Sequence, residues 1–435
     1  MTAEESGADD VPADARRFWF GLAVIALFGL VVRVAYVAVS RQAVQGDGTY
    51  YHAIAGVLAD GKGFISPRAF LRSGLSIPFA PHPPLWPLLL SLPARVGLRT
   101  YTEQQLFATL VGTGTVVVIG CAGRRLLDAR VGLVAAAVAA VYPNFFLYER
   151  DLLAETLAIF LVAVALLLVF RFNDRPGPLR AAMLGASCGL LALTHAGQVL
   201  LIVLLLVPVL LLAPGTPWRQ RLTWLPISVV VAVAVIAPWT AYNTSRFEEP
   251  VLLSHDLGTA LVVSNCDAVY SGPDLGHKSE PCYDASAKRI GPDGDASTRD
   301  IALRHEGIDY IRAHLGRLPL VVLAREGRAW GVFRPVQQVR FESGRGTRPP
   351  VMGLGFAAYW ALSIAAVGGV IILRRRHIPV YPLMAPIVTA VIGIALTYGS
   401  VRYRTPADVP IVLLAAVAIA RALRTGPAPA IADAS

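Results

Sequence analysis

From Phe18 to Val39 the chain is apolar apart from Arg33, and several later stretches repeat that pattern. Runs of about 18 or more apolar residues are long enough to cross a hydrocarbon core of roughly 30 Å as helices. Lipid offers the backbone no hydrogen-bond partners, so such runs satisfy their own amides and carbonyls by coiling. With 55% hydrophobic and 16% charged residues, the 435-residue chain also has too little polar surface for a soluble protein of its length. An all-α polytopic membrane protein follows. The first run has no small-residue cleavage site after it and reads as a retained span. About ten spans are expected, at 18–39, 104–123, 131–148, 152–170, 179–194, 197–213, 222–241, 351–373, 379–398 and 406–423.

Arginine placement orients these spans, because short loops rich in Lys and Arg stay cytoplasmic while long loops cross regardless of charge. Arg16 and Arg17 precede the first span, and Arg124 to Arg130, Arg171 to Arg180, Arg219 with Arg221, Arg374 to His377, and Arg421 with Arg424 fill short loops or the tail. Both termini are then cytoplasmic, as tails 1–17 and 426–435. A first external loop covers 41–103, between the first span and the rest of an N-terminal membrane module (18–241). A long external loop covers 242–350, and the C-terminal helices occupy 351–425. A plasma-membrane protein with its chemistry on the external face is the expectation.

The net charge of +10 does not point to nucleic acid. Its Lys and Arg residues are scattered over loops, with no basic stripe interleaved with aromatics. Anionic head groups or phosphate are the fitting partners. Of the four cysteines, Cys121 and Cys188 lie in apolar runs as small core residues, whereas Cys266 and Cys282 share the long polar loop, where an external location makes a disulfide expected.

Within the first loop, Tyr50, Ile54, Val57 and Leu58 share one helical face, which suits an interfacial helix. The following segment, APHPPLWPLLLSLPARVGL, is apolar but broken by prolines and reads as interfacial or re-entrant. In the long loop, SHDLGTALVVSN reads as extended structure and STRDIALRHEGIDYIRAHL as a helix, so a small α/β-like external region is expected. Glycine-rich GTGTVVVIG and GLGFAA lie inside spans with no strand before them and read as packing glycines.

Several polar residues fall on the external side. Asp47 has two readings, an acidic helix-start residue or a functional carboxylate. Asp151 and Glu155 are i and i+4 at the outer end of a span; a carboxylate at the centre of a span costs about 2.5–3.5 kcal/mol on insertion scales, so Glu155 should face a polar cavity or a cation. Arg33 either snorkels or neutralises a buried acid. His82 and His195 fall in external segments, structural or catalytic. Arg402 and Arg404 flank an aromatic, as a phosphate clamp or an interface anchor.

The order of these pieces resembles a known group. An Arg-bearing first span is followed by GDGTYYHAIAGVLADGKGF, a His-Pro-Pro segment, GRRLLDARVG, YPNFFLYERDLLAETL, GLLALTHAGQVLL, APWTAYNTSRFEEPVLLSHDLGTALVVSN and RYRTPADVPIVLLAA. This series is similar to the GT-C membrane glycosyltransferases, specifically the family 39 group with the protein O-mannosyltransferases and the lipid A aminoarabinose transferase. The resemblance implies a GT-C-like helical bundle with interfacial helices in its first external loop. It implies transfer, with inversion, of a sugar from a polyprenyl-phosphate donor to a lipid, protein or glycan acceptor. Asp47 matches that group's catalytic aspartate, Glu155 its second-loop carboxylate, and His82 a basic residue near the donor phosphate. Around Asp47 and Glu155, the substrate-binding set is then Arg33, Tyr50, His82, Asp151, His195, Arg402 and Arg404. The group often has a second acid after the aspartate; here it is Gly48, so a divalent metal is possible but not required. A transporter or flippase for a lipid-linked substrate is the alternative, although the paired broken helices of inverted-repeat transporters are not seen.

Overall fold

The computed structural model describes residues 13–40, 43–343 and 348–423; most of both expected tails, and Arg424, lie outside them. Helices follow one another as α1 Ala13–Val39, α2 Asp47–Ala59, α3 Pro67–Ser73, α4 Leu85–Arg95, α5 Tyr101–Leu126, α6 Ala129–Val141, α7 Pro143–Arg150, α8 Glu155–Asp174, α9 Pro178–Ala192, α10 Val207–Leu211 and α11 Trp218–Thr244. The second half comprises α12 Leu257–Ser264, α13 Asp267–Tyr270, α14 Glu280–Ile290, α15 Ala296–Ala313, α16 Leu318–Ala329, α17 Pro335–Ser343, α18 Pro349–Arg375, α19 Tyr381–Leu396, α20 Val401–Arg404 and α21 Asp408–Ala422.

Among the described residues, six helices are long and apolar enough to cross a membrane, and the α6–α7 pair makes a seventh if its 46° bend belongs to one span. The bend falls where Pro143 opens a new helix, since proline cannot donate the amide that would continue α6. Shorter apolar helices Pro178–Ala192, Ala196–Leu211 and Tyr381–Leu396 stand at the other three expected positions. The chain is a multi-pass membrane protein.

Helix α8 lies deepest, wrapped by α5, α9 and α21. Helices α1, α11 and α18 turn Trp19, Phe20, Leu27, Val230, Val233, Leu354 and Ile364 outward, the apolar surface a lipid-facing helix needs. Two of the glycine-rich stretches do pack: a side chain on Gly112 would collide with Glu149, and one on Gly355 with Asn144. Sequence-local signals set the ends. Thr100 and Glu103 form a capping box at α5, and the Asp128 carboxylate accepts from the Val131 amide at 2.9 Å to start α6.

The basic helix ends gather on one face. The Arg124 guanidinium lies 4.5 Å from the Phe18 ring at the start of α1, Arg125 pairs with Asp174 at the end of α8, and Leu127, Asp128, Arg376 and Arg421 line one crevice. The start of α1 and the end of α21 therefore share a side. The loop carrying α2 to α4 and the segment 245–343 lie at the opposite ends of these helices.

Two expectations for the external loops change. The segment SHDLGTALVVSN is helical (α12), and no strand occurs among the described residues apart from an isolated bridge between Ile65 and Pro78. Its β-branched valines lean toward a strand, but packing on α15 decides. The Gly258 amide donates to Asp300 at 2.6 Å, and Val262 and Val263 are buried. The α/β-like external region is all helical. The helix expected from STRDIALRHEGIDYIRAHL is α15, and α4 is only an 11-residue helix. Cys266 and Cys282 form the disulfide, with Cα atoms 6.5 Å apart.

Candidate active site

Three chain segments remote in sequence deliver one charged centre on the face opposite the basic helix ends. Asp47 is the first residue of α2, after Gly46 at φ 61°. Glycine tolerates that left-handed turn, which redirects the chain from α1 into α2. Gly48 is then pressed against the turn that carries Asp151: a Cβ there would stand 2.2 Å from the Asp151 carbonyl oxygen. No second acid fits at this position without moving backbone.

Glu155 opens α8 after a sharp turn in which Leu152 adopts φ 54°. A leucine in that region is strained, and the neighbourhood holds it there. The buried Trp86 indole donates to the Leu152 carbonyl at 2.7 Å, and Gln105 donates to the Arg150 carbonyl at 2.6 Å. The turn tips the chain from α7 into the bundle and leaves Glu155 just below the surface.

Arg402 lies in the short helix α20, whose start is tethered from below. Glu342 Oε1 accepts from the Ser400 hydroxyl at 2.9 Å, the Val401 amide at 3.0 Å and the Gln338 amide at 2.9 Å. So held, Arg402 donates from Nε to Glu155 Oε1 at 2.8 Å and from Nη1 to Asp47 Oδ2 at 2.7 Å. The two carboxylates differ in access: the Glu155 side chain is 1% exposed and that of Asp47 35%.

Around this triad are groups that suit a polar ligand. His82 Nε2 is 3.9 Å from Asp47 Oδ1, with its ring against Tyr50 and Tyr51. His195 faces the Tyr403 ring, and the Tyr403 hydroxyl bonds that of Tyr398 at 2.8 Å. The Lys278 ammonium stands 5.8 Å from the Tyr398 ring centre. Burial holds both His82 and His195 below the ordinary imidazole range despite nearby carboxylates, so they are neutral near pH 7. Asp256, in the long loop, is pushed up to about 8 by burial and then by the Asp47 carboxylate. Three buried atoms of this neighbourhood, Glu155 Oε2, His195 Nδ1 and Tyr50 Oη, have no hydrogen-bond partner among the described residues. Buried polar groups are normally satisfied, so these point to a ligand rich in hydroxyls or to water.

The expected site residues thus divide. Asp47, Glu155, Arg402, His82, His195 and Tyr50 come together. Arg404 does not: it is fully buried, pairs with Asp408 at 3.1 Å, donates to the Ala329 carbonyl at 3.0 Å and lies 3.5 Å from the Tyr359 ring centre. In a four-residue helix, positions 402 and 404 point to different sides, which separates the pair. Arg33 is spent on Glu149 at 2.9 Å and on the carbonyls of Gly29, Ala139 and Ala140, the buried-acid role rather than a phosphate role. Asp151 is buried against Arg150 at 2.7 Å and serves the turn. His82, expected near the donor phosphate, lies in this centre with its imidazole held below the ordinary range by burial. Sequence reasoning missed Tyr398, Tyr403, Glu342, Lys278 and Asp256; the first two belong to the motif TYGSVRYRTP, whose aromatic spacing was the available signal.

A bridging divalent cation would need Asp47 and Glu155 free to ligate it. Both are engaged by Arg402, Gly48 adds no third acid, and no group of three His, Cys, Asp or Glu among the described residues is arranged to hold a metal. The donor set does not fit a metal.

Residues 81–242 match a family model described as dolichyl-phosphate-mannose-protein mannosyltransferase. No curated protein matches the chain. Among solved structures, the Archaeoglobus fulgidus oligosaccharyltransferase in its apo form is similar at a TM-score of 0.54 and 14% identity, over 94% of this chain and 52% of that one. The archaeal oligosaccharyltransferase AglB from the same organism, in complex with an inhibitory peptide and a dolichol-phosphate, gives 0.54 and 14% over 95% and 51%. A complex of the A. fulgidus enzyme with Zn and sulfate gives 0.50 and 14% over 93% and 51%. The chain spans about half the length of these structures. What they share with it is the fold.

Proposed function

With a GT-C membrane fold as the premise, we propose that this protein is a glycosyltransferase moving a sugar from a polyprenyl-phosphate donor to an acceptor hydroxyl, with inversion. The observation that carries the reading is the Asp47–Arg402–Glu155 centre: one accessible carboxylate beside one guanidinium. The match of residues 81–242 to a mannosyltransferase model and the dolichol-phosphate bound by AglB support the donor class. The centre lies opposite the arginine-rich helix ends, which supports an external site and cytoplasmic termini.

Asp47 is the general base. An acceptor hydroxyl gives its proton to this carboxylate as its oxygen attacks the anomeric carbon; the bond from that carbon to the phosphate oxygen breaks, and polyprenyl phosphate leaves with the electron pair. Attack opposite the leaving group inverts the centre. The departing phosphate gains charge and needs a donor aimed at it. Arg402 retains Nη2, which makes no hydrogen bond among the described residues. Glu155 anchors Arg402 from the buried side, and Tyr50 and His195 offer unpaired polar atoms to sugar hydroxyls. The lipid chain of the donor would lie along the apolar outer faces of the bundle.

The test uses purified full-length protein in nanodiscs with a panel of polyprenyl-phosphate sugars, scoring release of polyprenyl phosphate and the anomeric configuration of the product by NMR. Turnover of one sugar class with inverted product is expected. Transport of a lipid-linked sugar across the bilayer without release of polyprenyl phosphate overturns the reading.

A further inference from the structure

The two carboxylates at the site come from segments more than a hundred residues apart, yet they share a single guanidinium, on Nε and Nη1. The Arg402 side chain is 11% exposed. Its planar fork has donors on three nitrogens, and two of these are committed in-plane to Glu155 and Asp47. The third, Nη2, is left for a phosphate oxygen. A divalent ion bridging two protein carboxylates and a substrate phosphate would make the same three connections.

We infer that the Arg402 guanidinium is the resident cation of this centre, occupying the position between Asp47 and Glu155 that a metal would otherwise take, so that sugar transfer here proceeds without a divalent ion. This rests on the glycosyltransferase reading for its reaction, but not for its binding test. Three independent features of the chain agree. Glu155 is almost wholly buried, and a lone carboxylate there would be costly without its cation. The residue after Asp47, where a further acidic ligand would stand, is held to glycine by the Asp151 carbonyl. The neighbouring imidazole of His82 approaches the other oxygen of Asp47, Oδ1, at 3.9 Å, while Arg402 holds Oδ2. A divalent ion entering this space would meet a fixed positive charge, and its carboxylates would have to abandon Arg402 to bind it.

Removing the guanidinium should therefore create a metal site. Full-length protein in zwitterionic nanodiscs is titrated with Mn2+ and the free ion is followed by electron paramagnetic resonance. Wild-type protein should take up no stoichiometric Mn2+, whereas Arg402→Ala should bind one equivalent, and Arg402→Ala combined with Glu155→Gln should lose it. Release of polyprenyl phosphate by the wild type should change less than twofold with EDTA. One equivalent of Mn2+ on the wild type, abolished by Glu155→Gln, overturns the inference; so does a folded Arg402→Ala that stays silent. If Arg402→Ala does not fold, wild type against Glu155→Gln decides alone. Absence of turnover with every donor would count against the glycosyltransferase reading, and the Mn2+ titration would still stand.

Discussion

At the residue scale, the two roles open to Asp47, the first residue of α2, can be separated by one substitution. Asn would serve the helix start about as well as Asp but cannot take a proton. Asp47→Asn should leave the melting temperature and donor affinity close to wild type while lowering the transfer rate roughly 10²–10⁴-fold, the usual worth of a positioned base. Near wild-type turnover would return Asp47 to a structural role. The two arginines of the VRYR turn should part company in the same way. Arg404→Ala leaves Asp408 buried without its cation, and breaking a buried pair costs about 3–5 kcal/mol, so this variant should lose stability in a chemical or thermal melt. Arg402→Ala also strips buried Glu155 of its cation and should lower the melt as well, but of the two it alone should raise the donor KM. Exposed Arg312, paired only with Asp309, is the control that should change neither.

Elements outside the bundle are latched to it by groups that titrate. His255 Nε2 accepts from the Ala80 amide at 2.9 Å while the His255 amide donates to the Ala80 carbonyl at 3.0 Å, joining the long loop to the segment before His82. Burial lowers this imidazole to about 4. The fold therefore holds it neutral, while the unfolded chain takes up its proton near the ordinary value of about 6.5. With the folded value depressed, the stability tied to His255 is complete above about pH 6.5 and falls as pH drops toward 4. Melting temperatures of wild type and His255→Gln should converge or cross as pH falls over this range, and parallel curves would dismiss the latch. Helix α17 acts on the site from further back. Glu342→Gln keeps the size of the side chain but removes the charge that gathers the Ser400 hydroxyl and the Val401 amide. It should weaken donor binding several-fold through Arg402, read as a rise in KM larger than any fall in kcat.

Across the whole molecule, the segment closed by Cys266–Cys282 reaches the far end of the chain. Gly276, inside it, accepts from the Gly399 amide at 2.9 Å, one residue from the Ser400 cap of α20. A disulfide stabilises mainly by restricting the unfolded chain, typically by about 2–4 kcal/mol. Cys266→Ser with Cys282→Ser should lower the melting temperature and soften donor binding, whereas Cys121→Ser should do neither.

Much of this molecule is decided locally and can be read from residues in order. Spans, their arginine-rich ends, the α15 periodicity and the pairing of the only two loop cysteines depend on composition within a helix or loop, and solvation by lipid or water enforces them. Asp47 and Glu155 were visible for the same reason, as acids at apolar boundaries. What one chain position cannot reveal is which distant group satisfies it. Arg33 and Arg404 look like Arg402 in sequence, yet Glu149 and Asp408 claim two of them and only the third reaches Asp47. Packing on α15 likewise coiled a valine-bearing segment that local preference would have extended. The bundle decides these matters because a buried charge must find its counter-charge in three dimensions, and the fold alone determines which one lies within reach.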